Sequence, residues 1–199
     1  MTYRDTKKTH HLNAHSGEAL KKMFNEATSR ANSHMQVCAA VCEVVSFVAS
    51  KEGRFAFVSG VISAEGREFI GRNMAVLSDF TDHARANFAV PVMSAADVFH
   101  AGLLGKYRDA GLEGWALFWR KVLASGVGTL IMTPKWEISY GARDEHNFAL
   151  SRGGIVVDYR HDDPGFIGIL RKHNIEYTPD EEKIRAMRSQ IRLPAPGPQ

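Results

Sequence analysis

Between Ile131 and Gly154 the chain places a carboxylate where a helix calls for an apolar side chain. With successive residues about 100° apart on a helix, Ala142, Phe148, Ala149 and Leu150 share one arc, and Arg143, Asp144, Asn147 and Ser151 share the opposite one. Glu145 falls inside the apolar arc, whereas Asp144 falls in the polar arc, where solvent suffices. An ionised carboxylate facing the interior is costly unless it is paired or opens into a wet cleft, which makes Glu145 the catalytic candidate. The plain alternative is a glutamate of the first turns, favoured by the helix dipole or paired with Arg143 or Arg152. Geometry alone leaves both open. His146, near the same arc, reads as a histidine satisfied by a backbone carbonyl, with proton transfer as the sharper alternative.

The flanking residues define the elements that must position Glu145. Gly128 to Thr133 is a short apolar run rich in β-branched side chains and stopped by Pro134, which predicts a buried strand. Ser139 is a good N-cap, and Gly153 and Gly154 allow the left-handed conformation of a C-cap, so a helix is expected over Ser139 to Arg152. It begins just past the C-terminal end of a strand, where open α/β sheets place their ligand crevices. The loop after the first strand, Ser59 to Gly66, has glycines that let backbone approach a ligand and leaves the next helix free amides for an anion. It carries no Gly-Lys-Ser or Gly-Lys-Thr and does not fit Gly-x-Gly-x-x-Gly, so by itself it reads as a tight strand-to-helix turn.

Strand and helix alternate along the middle of the chain. Strands are expected at Arg54 to Ile62, Phe88 to Met93, Gly128 to Thr133 and Ile155 to Tyr159, and helices at Gly66 to Ala86, Ala95 to Leu104, Leu112 to Ser125 and Ser139 to Arg152. Such repetition predicts an α/β fold, a parallel sheet with helices on both faces. Two helices precede it, Gly17 to Ala31 and Ser33 to Ser50, the second with an apolar face of Val37, Val41, Val44, Val45 and Val48. A short helix over Phe166 to Lys172 and a charged one over Pro179 to Arg188 follow, before a proline-rich tail. The expected organisation is an N-terminal helical extension over 1–53, an α/β domain over 54–178 and a helix with a flexible tail over 179–199.

With 44% hydrophobic and 24% charged residues among 199, the chain can bury a substantial core. Its formal charge of +3 is scattered rather than gathered into a stripe, so no nucleic-acid polymer is expected as a partner. The longest apolar stretch, Val37 to Ala49, is interrupted by Glu43 and too short to span a bilayer, and no leader begins the chain, so no membrane partner and a cytoplasmic location are expected. Cys38 and Cys42, four apart on one helical face, read as reduced, packed thiols. His10, His11 and His15 lack acidic or cysteine ligands in register, so no metal or other cofactor is expected.

The order Phe57-Val58-Ser59-Gly60, then Pro134-Lys135-Trp136-Glu137-Ile138-Ser139-Tyr140-Gly141-Ala142, then Glu145 and Ala149 resembles the nucleoside 2-deoxyribosyltransferase-like superfamily. That superfamily includes deoxyribosyltransferases, nucleotide N-glycosidases and small bacterial and phage proteins with the pattern Pro-Gly-Trp-x-x-Ser-x-Gly-Ala followed by Glu. The resemblance spans Phe55 to Tyr159. It implies a flavodoxin-like, Rossmann-like sheet and an enzyme that hydrolyses or transfers at an N-glycosidic bond. The substrate would be a nucleoside 5'-monophosphate or nucleoside, and the residue at Glu145 would attack the anomeric carbon. A carboxylate nucleophile must be ionised, and an unperturbed glutamate pKa of ~4.3 leads one to expect that at neutral pH without special tuning. Attack would displace the base and leave a covalent glycosyl-enzyme, resolved by water or a second base.

The resemblance also implies that Ser139 helps hold a 5'-phosphate, that Ser59, Gly60, Val61, Ile62 and Ser63 add loop contacts, and that Trp136 and Gly141 line the substrate site. It further implies a homodimer or higher oligomer, for which the Val37 to Val48 face is one contact surface and capping of the sheet its other use. Two departures stand out. Relatives often carry an aspartate before the third strand, where Phe118-Trp119-Arg120-Lys121-Val122 has none, leaving Asp97 as a substitute; and Val61 replaces a small polar residue or proline. Trp115, Trp119 and Trp136 are candidates to stack on a base, though aromatics at helical spacing are more often core. The competing expectations are a non-catalytic nucleotide-binding or sensing module on the same fold, and a structural partner built around the N-terminal helices.

Overall fold

The computed structural model describes residues 17–99, 111–158, 164–178, 181–182 and 185–186. Four parallel strands, β1 (Ala56–Ser59), β2 (Val92–Ser94), β3 (Thr129–Met132) and β4 (Ile155–Asp158), form a sheet in the order β2-β1-β3-β4. The helices are α1 (Gly17–Thr28), α2 (His34–Glu52), α3 (Ile70–Asn87), α4 (Ala95–Val98), α5 (Gly111–Ala124), α6 (Tyr140–Ser151) and α7 (Pro164–Lys172). Short 3-10 turns at Arg67–Phe69 and Trp136–Ile138 precede α3 and α6. The fold is α/β with a flavodoxin-like strand order, as the alternation of elements predicts.

Every residue of β1 and β2 is buried, which continuous apolar runs require in a sheet covered on both faces. The strands are shorter than expected. Pro91 precedes β2 and supplies only its carbonyl, accepting from Ala56 N at 2.9 Å, so that strand begins four residues later than Phe88. Gly60 ends β1 because its backbone runs under Thr133: a Cβ there would collide with the Thr133 hydroxyl.

From β1 the chain crosses to β2 on one side, then returns to place β3 on the other. Right-handed crossovers put α3 on one face, with α7 against it, and α5 and α6 on the other, with α2 packed on α5. The reversal between β1 and β3 is the topological switch point where open α/β sheets form ligand crevices. Ser59 pairs with Met132 across it.

The N-terminal helices share this core. Val37, Val41, Val44, Val45 and Val48 are buried, each worth roughly 1.5–3 kcal/mol of apolar burial. Ser46 donates to the Ser125 carbonyl at 2.8 Å, and the Cys38 thiol faces the Phe118 carbonyl. The apolar face with two expected uses is thus covered within the chain, and both cysteines are free thiols. The expected helix over Ala95 to Leu104 is seen as Ala95–Val98, and its part beyond residue 99 lies outside the described residues, as do Tyr159, the three N-terminal histidines and the proline-rich tail. Residues 181–182 and 185–186 of the charged helix are helical. Among the described residues no helix is long and apolar enough to cross a membrane.

Candidate functional site at the switch point

α6 buries Ala142, Glu145 and His146, the i, i+3, i+4 face that points at the sheet. Ser139 caps it, its hydroxyl accepting from Ala142 N at 3.3 Å, and Gly153 beyond its end sits at φ 72°. Ser59, the last residue of β1, points to the same side as Phe57, which packs on Trp119 of α5 at 5.0 Å between ring centroids. There the Ser59 hydroxyl donates a short hydrogen bond to Glu145 Oε2. Glu145 is 6% exposed, and the two arginines considered as its partners are engaged elsewhere: Arg143 donates to the Glu137 carbonyl at 2.9 Å, and Arg152 lies over the Phe148 ring.

This environment overturns the expectation that Glu145 is ionised at neutral pH without tuning. Burial pushes its carboxyl up to about 8; the Ser59 hydrogen bond pulls it back in part, and the charge of neighbouring Asp144 pushes it further. Asp144 is not simply solvated either, because Arg120 on α5 grips both its oxygens, with Nε to Oδ2 at 2.8 Å.

Other expected site residues turn out to have structural duties. Trp136 is fully buried, stacked on His146 with centroids 4.5 Å apart, and its Nε1 donates to Asp158 at 3.3 Å. Its ring is core and is not offered to a base. Asp97 is likewise committed: it accepts from Ser94 N at 2.8 Å as half of a capping box and pairs with Arg85 at 2.8 Å, so it does not replace the missing acid. Burial raises its carboxyl above the usual range, with Arg85 opposing. Trp115 and Trp119 join Phe99 and Phe118 in an aromatic cluster.

Ser139 is 8% exposed, and among the described residues its hydroxyl acts as an acceptor, leaving its proton to be donated. Gly141 borders it, and a Cβ there would meet only the Ser139 hydroxyl at 3.9 Å. In the loop after β1, Val61 lines a cavity on the α3 face, Ile62 accepts from Asn73 Nδ2 at 3.0 Å and Ser63 accepts from Gly66 N at 3.2 Å. Gly60 and Ser59 therefore look to opposite faces: Ser59 to Glu145, Gly60 to Thr133.

The α3 face holds residues that sequence reasoning passed over. Thr133, Lys135, Glu65, Asn73 and Val61 line a cavity of ≈ 20 Å³, about one water in size. The Glu65 carboxylate bridges Lys135 through Oε1 and Arg72 through Oε2, the latter at 2.5 Å. Thr133 is 1% exposed, and among the described residues its hydroxyl has no hydrogen-bond partner. Lys135 is in the left-handed region at φ 71°, which costs a non-glycine residue about 1 kcal/mol. The one signal in the sequence was Lys135 itself, standing where the resembling pattern has glycine. Glu137, also buried, accepts from the Tyr177 hydroxyl at 2.7 Å. A roomier cavity of ≈ 240 Å³, lined by Gly128, Thr129, Gly154 and Ile155, lies at the N-terminal ends of β3 and β4, away from this edge.

Set beside known proteins, the chain matches no family model, no curated protein and no solved structure.

Proposed function

We propose that the site at the switch point cleaves or exchanges the N-glycosidic bond of a nucleoside 5'-monophosphate or nucleoside, with Glu145 acting at the anomeric carbon. The observation that carries this reading is the Glu145 carboxyl, buried at the C-terminal edge of the sheet and touched by the Ser59 hydroxyl. Such a group is destabilised as an anion until positive charge develops beside it, and an oxocarbenium-like centre supplies that charge. Ionised Glu145 forms a bond to the anomeric carbon as the carbon–nitrogen bond breaks; the electron pair leaves with the base, which takes up a proton. Water, or a second base, then displaces the carboxylate. Ser139, with a proton to donate beside the amides at the start of α6, supports a phosphorylated substrate.

A non-catalytic nucleotide-binding module is the second reading, favoured by the carboxyl raised to about 8, since a neutral acid is not a nucleophile. Incubation with a panel of nucleosides and their monophosphates, assayed for free base, separates the two. Release by the wild type, falling at least about 10³-fold in Glu145→Gln, is the expected result. Binding without release would sink the enzyme reading.

A further inference from the structure

We propose that Lys135, Arg72 and Thr133 form a phosphate-binding site whose place for the anion is filled by the chain's own Glu65. The site lies on the α3 face and stands whether or not Glu145 is a nucleophile.

The Arg72 guanidinium and the backbone of Lys135 are held by contacts other than Glu65. Arg72 rests on the Phe69 ring, 4.5 Å from its centroid, and donates through Nε and Nη2 to Asn73 Oδ1 at 3.2 Å. Asn73, 3% exposed, is itself anchored to the Ile62 carbonyl. Lys135 is fixed by the turn that carries it, in which Trp136 N donates to Thr133 O and Ile138 N to Lys135 O. The Arg72 guanidinium and the turn that carries Lys135 are thus placed without the carboxylate between them.

Glu65 behaves as a bound anion. Its two oxygens are divided between two cations, and although burial pushes its carboxyl up, Lys135 and Arg72 together bring it below the usual carboxylate range. One carboxylate against two cations leaves a surplus positive charge. A phosphate monoester, carrying between one and two negative charges near neutrality, matches the pair better, with oxygens enough for both cations and a third donor.

That third donor is the Thr133 hydroxyl, buried, without a hydrogen-bond partner among the described residues, and lining the same cavity as Glu65 and Lys135. A buried hydroxyl without an acceptor is unfavourable, and nothing on Glu65 satisfies it. With Glu65 in place the cavity holds about one water, too little for a phosphate, so the anion enters as Glu65 leaves. Glu65 sits on the 60–66 loop next to Gly66, whose φ of 120° is a conformation open to glycine.

Calorimetric titration of inorganic phosphate into the full chain, at constant ionic strength, tests the site. Glu65→Gln keeps the side chain's size while removing the competing charge, and is expected to tighten phosphate about tenfold. Lys135→Gly removes one cation and gives the left-handed position the residue that suits it, so it is expected to fold normally yet lose phosphate binding. Equal affinity in wild type, Glu65→Gln and Lys135→Gly, or no binding by Glu65→Gln, overturns the proposal. A nucleoside monophosphate that binds Glu65→Gln more tightly than phosphate does assigns the site to a nucleotide; equal binding assigns it to free phosphate.

Discussion

The C-terminal edge of the sheet carries a carboxyl on each face, and the two are treated in opposite ways. Glu145, on the α6 face, has a hydroxyl partner and an acidic neighbour, and burial pushes it up to about 8. Glu65, on the α3 face, is also partly desolvated, yet two cations hold it below the usual carboxylate range. Both feel burial as the largest single influence, so burial does not separate them; the charge of the nearest partners does. The teaching is about readiness. A carboxyl with no cation gains most when positive charge arises beside it, whereas one clamped between cations changes state only when another anion replaces it.

The largest consequence falls on the pH dependence of catalysis. If base release requires ionised Glu145, kcat/KM rises with pH and levels off above about 8, because the group is mostly protonated below that value. Between about pH 6 and pH 9 the rise should approach a hundredfold, ten for each unit below the midpoint. A profile flat over that range, or falling, would remove the contrast by showing that Glu145 is already charged like Glu65 or acts as an acid.

Stability offers a second measure of the same contrast, of comparable size. The folded value for Glu145, about 8, lies above the 4.5 of an ordinary glutamate, so the folded protein binds the proton more tightly than the unfolded chain. The cost of burying the anion is absent below the unfolded value, grows as pH rises from there towards 8, and is constant above. Glu145→Gln keeps an oxygen acceptor for Ser59 and never ionises. Its stability relative to wild type should improve by on the order of 3 kcal/mol between pH 5 and pH 8, read from denaturant midpoints at both. No change with pH would mean that Glu145 is as readily ionised as a surface glutamate.

How much of this was legible in the sequence differs between the two faces. The 100° spacing set Glu145 in an apolar arc with Ala142, Phe148 and Ala149 using information within one helix, but left an ordinary first-turns glutamate equally open until the fold buried it. Its partner Ser59 is 86 positions away, and only the β1–β3 register brings it there. The alternation of strands and helices was plain for the same local reason, whereas strand ends were blurred: Gly60 and Pro91 act through contacts with Thr133 and Ala56 that no window of sequence contains. Trp136 and Asp97 were misread because an aromatic or an acid at the end of a strand looks the same whether it faces a ligand or closes the core. The α3 site was nearly silent, since Glu65, Arg72 and Lys135 are ordinary surface types until the fold assembles them.

The smallest effect probes what makes the charged face unlike the neutral one, the left-handed Lys135 that carries a cation to the cavity. Lys135→Gly and Lys135→Ala both lose the ion pair with Glu65, so their difference reports the backbone and not the charge. Glycine adopts φ 71° without a Cβ penalty, while alanine pays it in the folded state. Against this, glycine leaves the unfolded chain more freedom, which takes back part of the gain. Lys135→Gly is therefore expected to be more stable than Lys135→Ala by about 1 kcal/mol or slightly less, as read from paired denaturation curves. If the alanine variant is as stable, the turn at residue 135 relaxes once the pair is gone. Glu65 would then be what holds Lys135 in place, and the claim that the cations stand ready without it would fail.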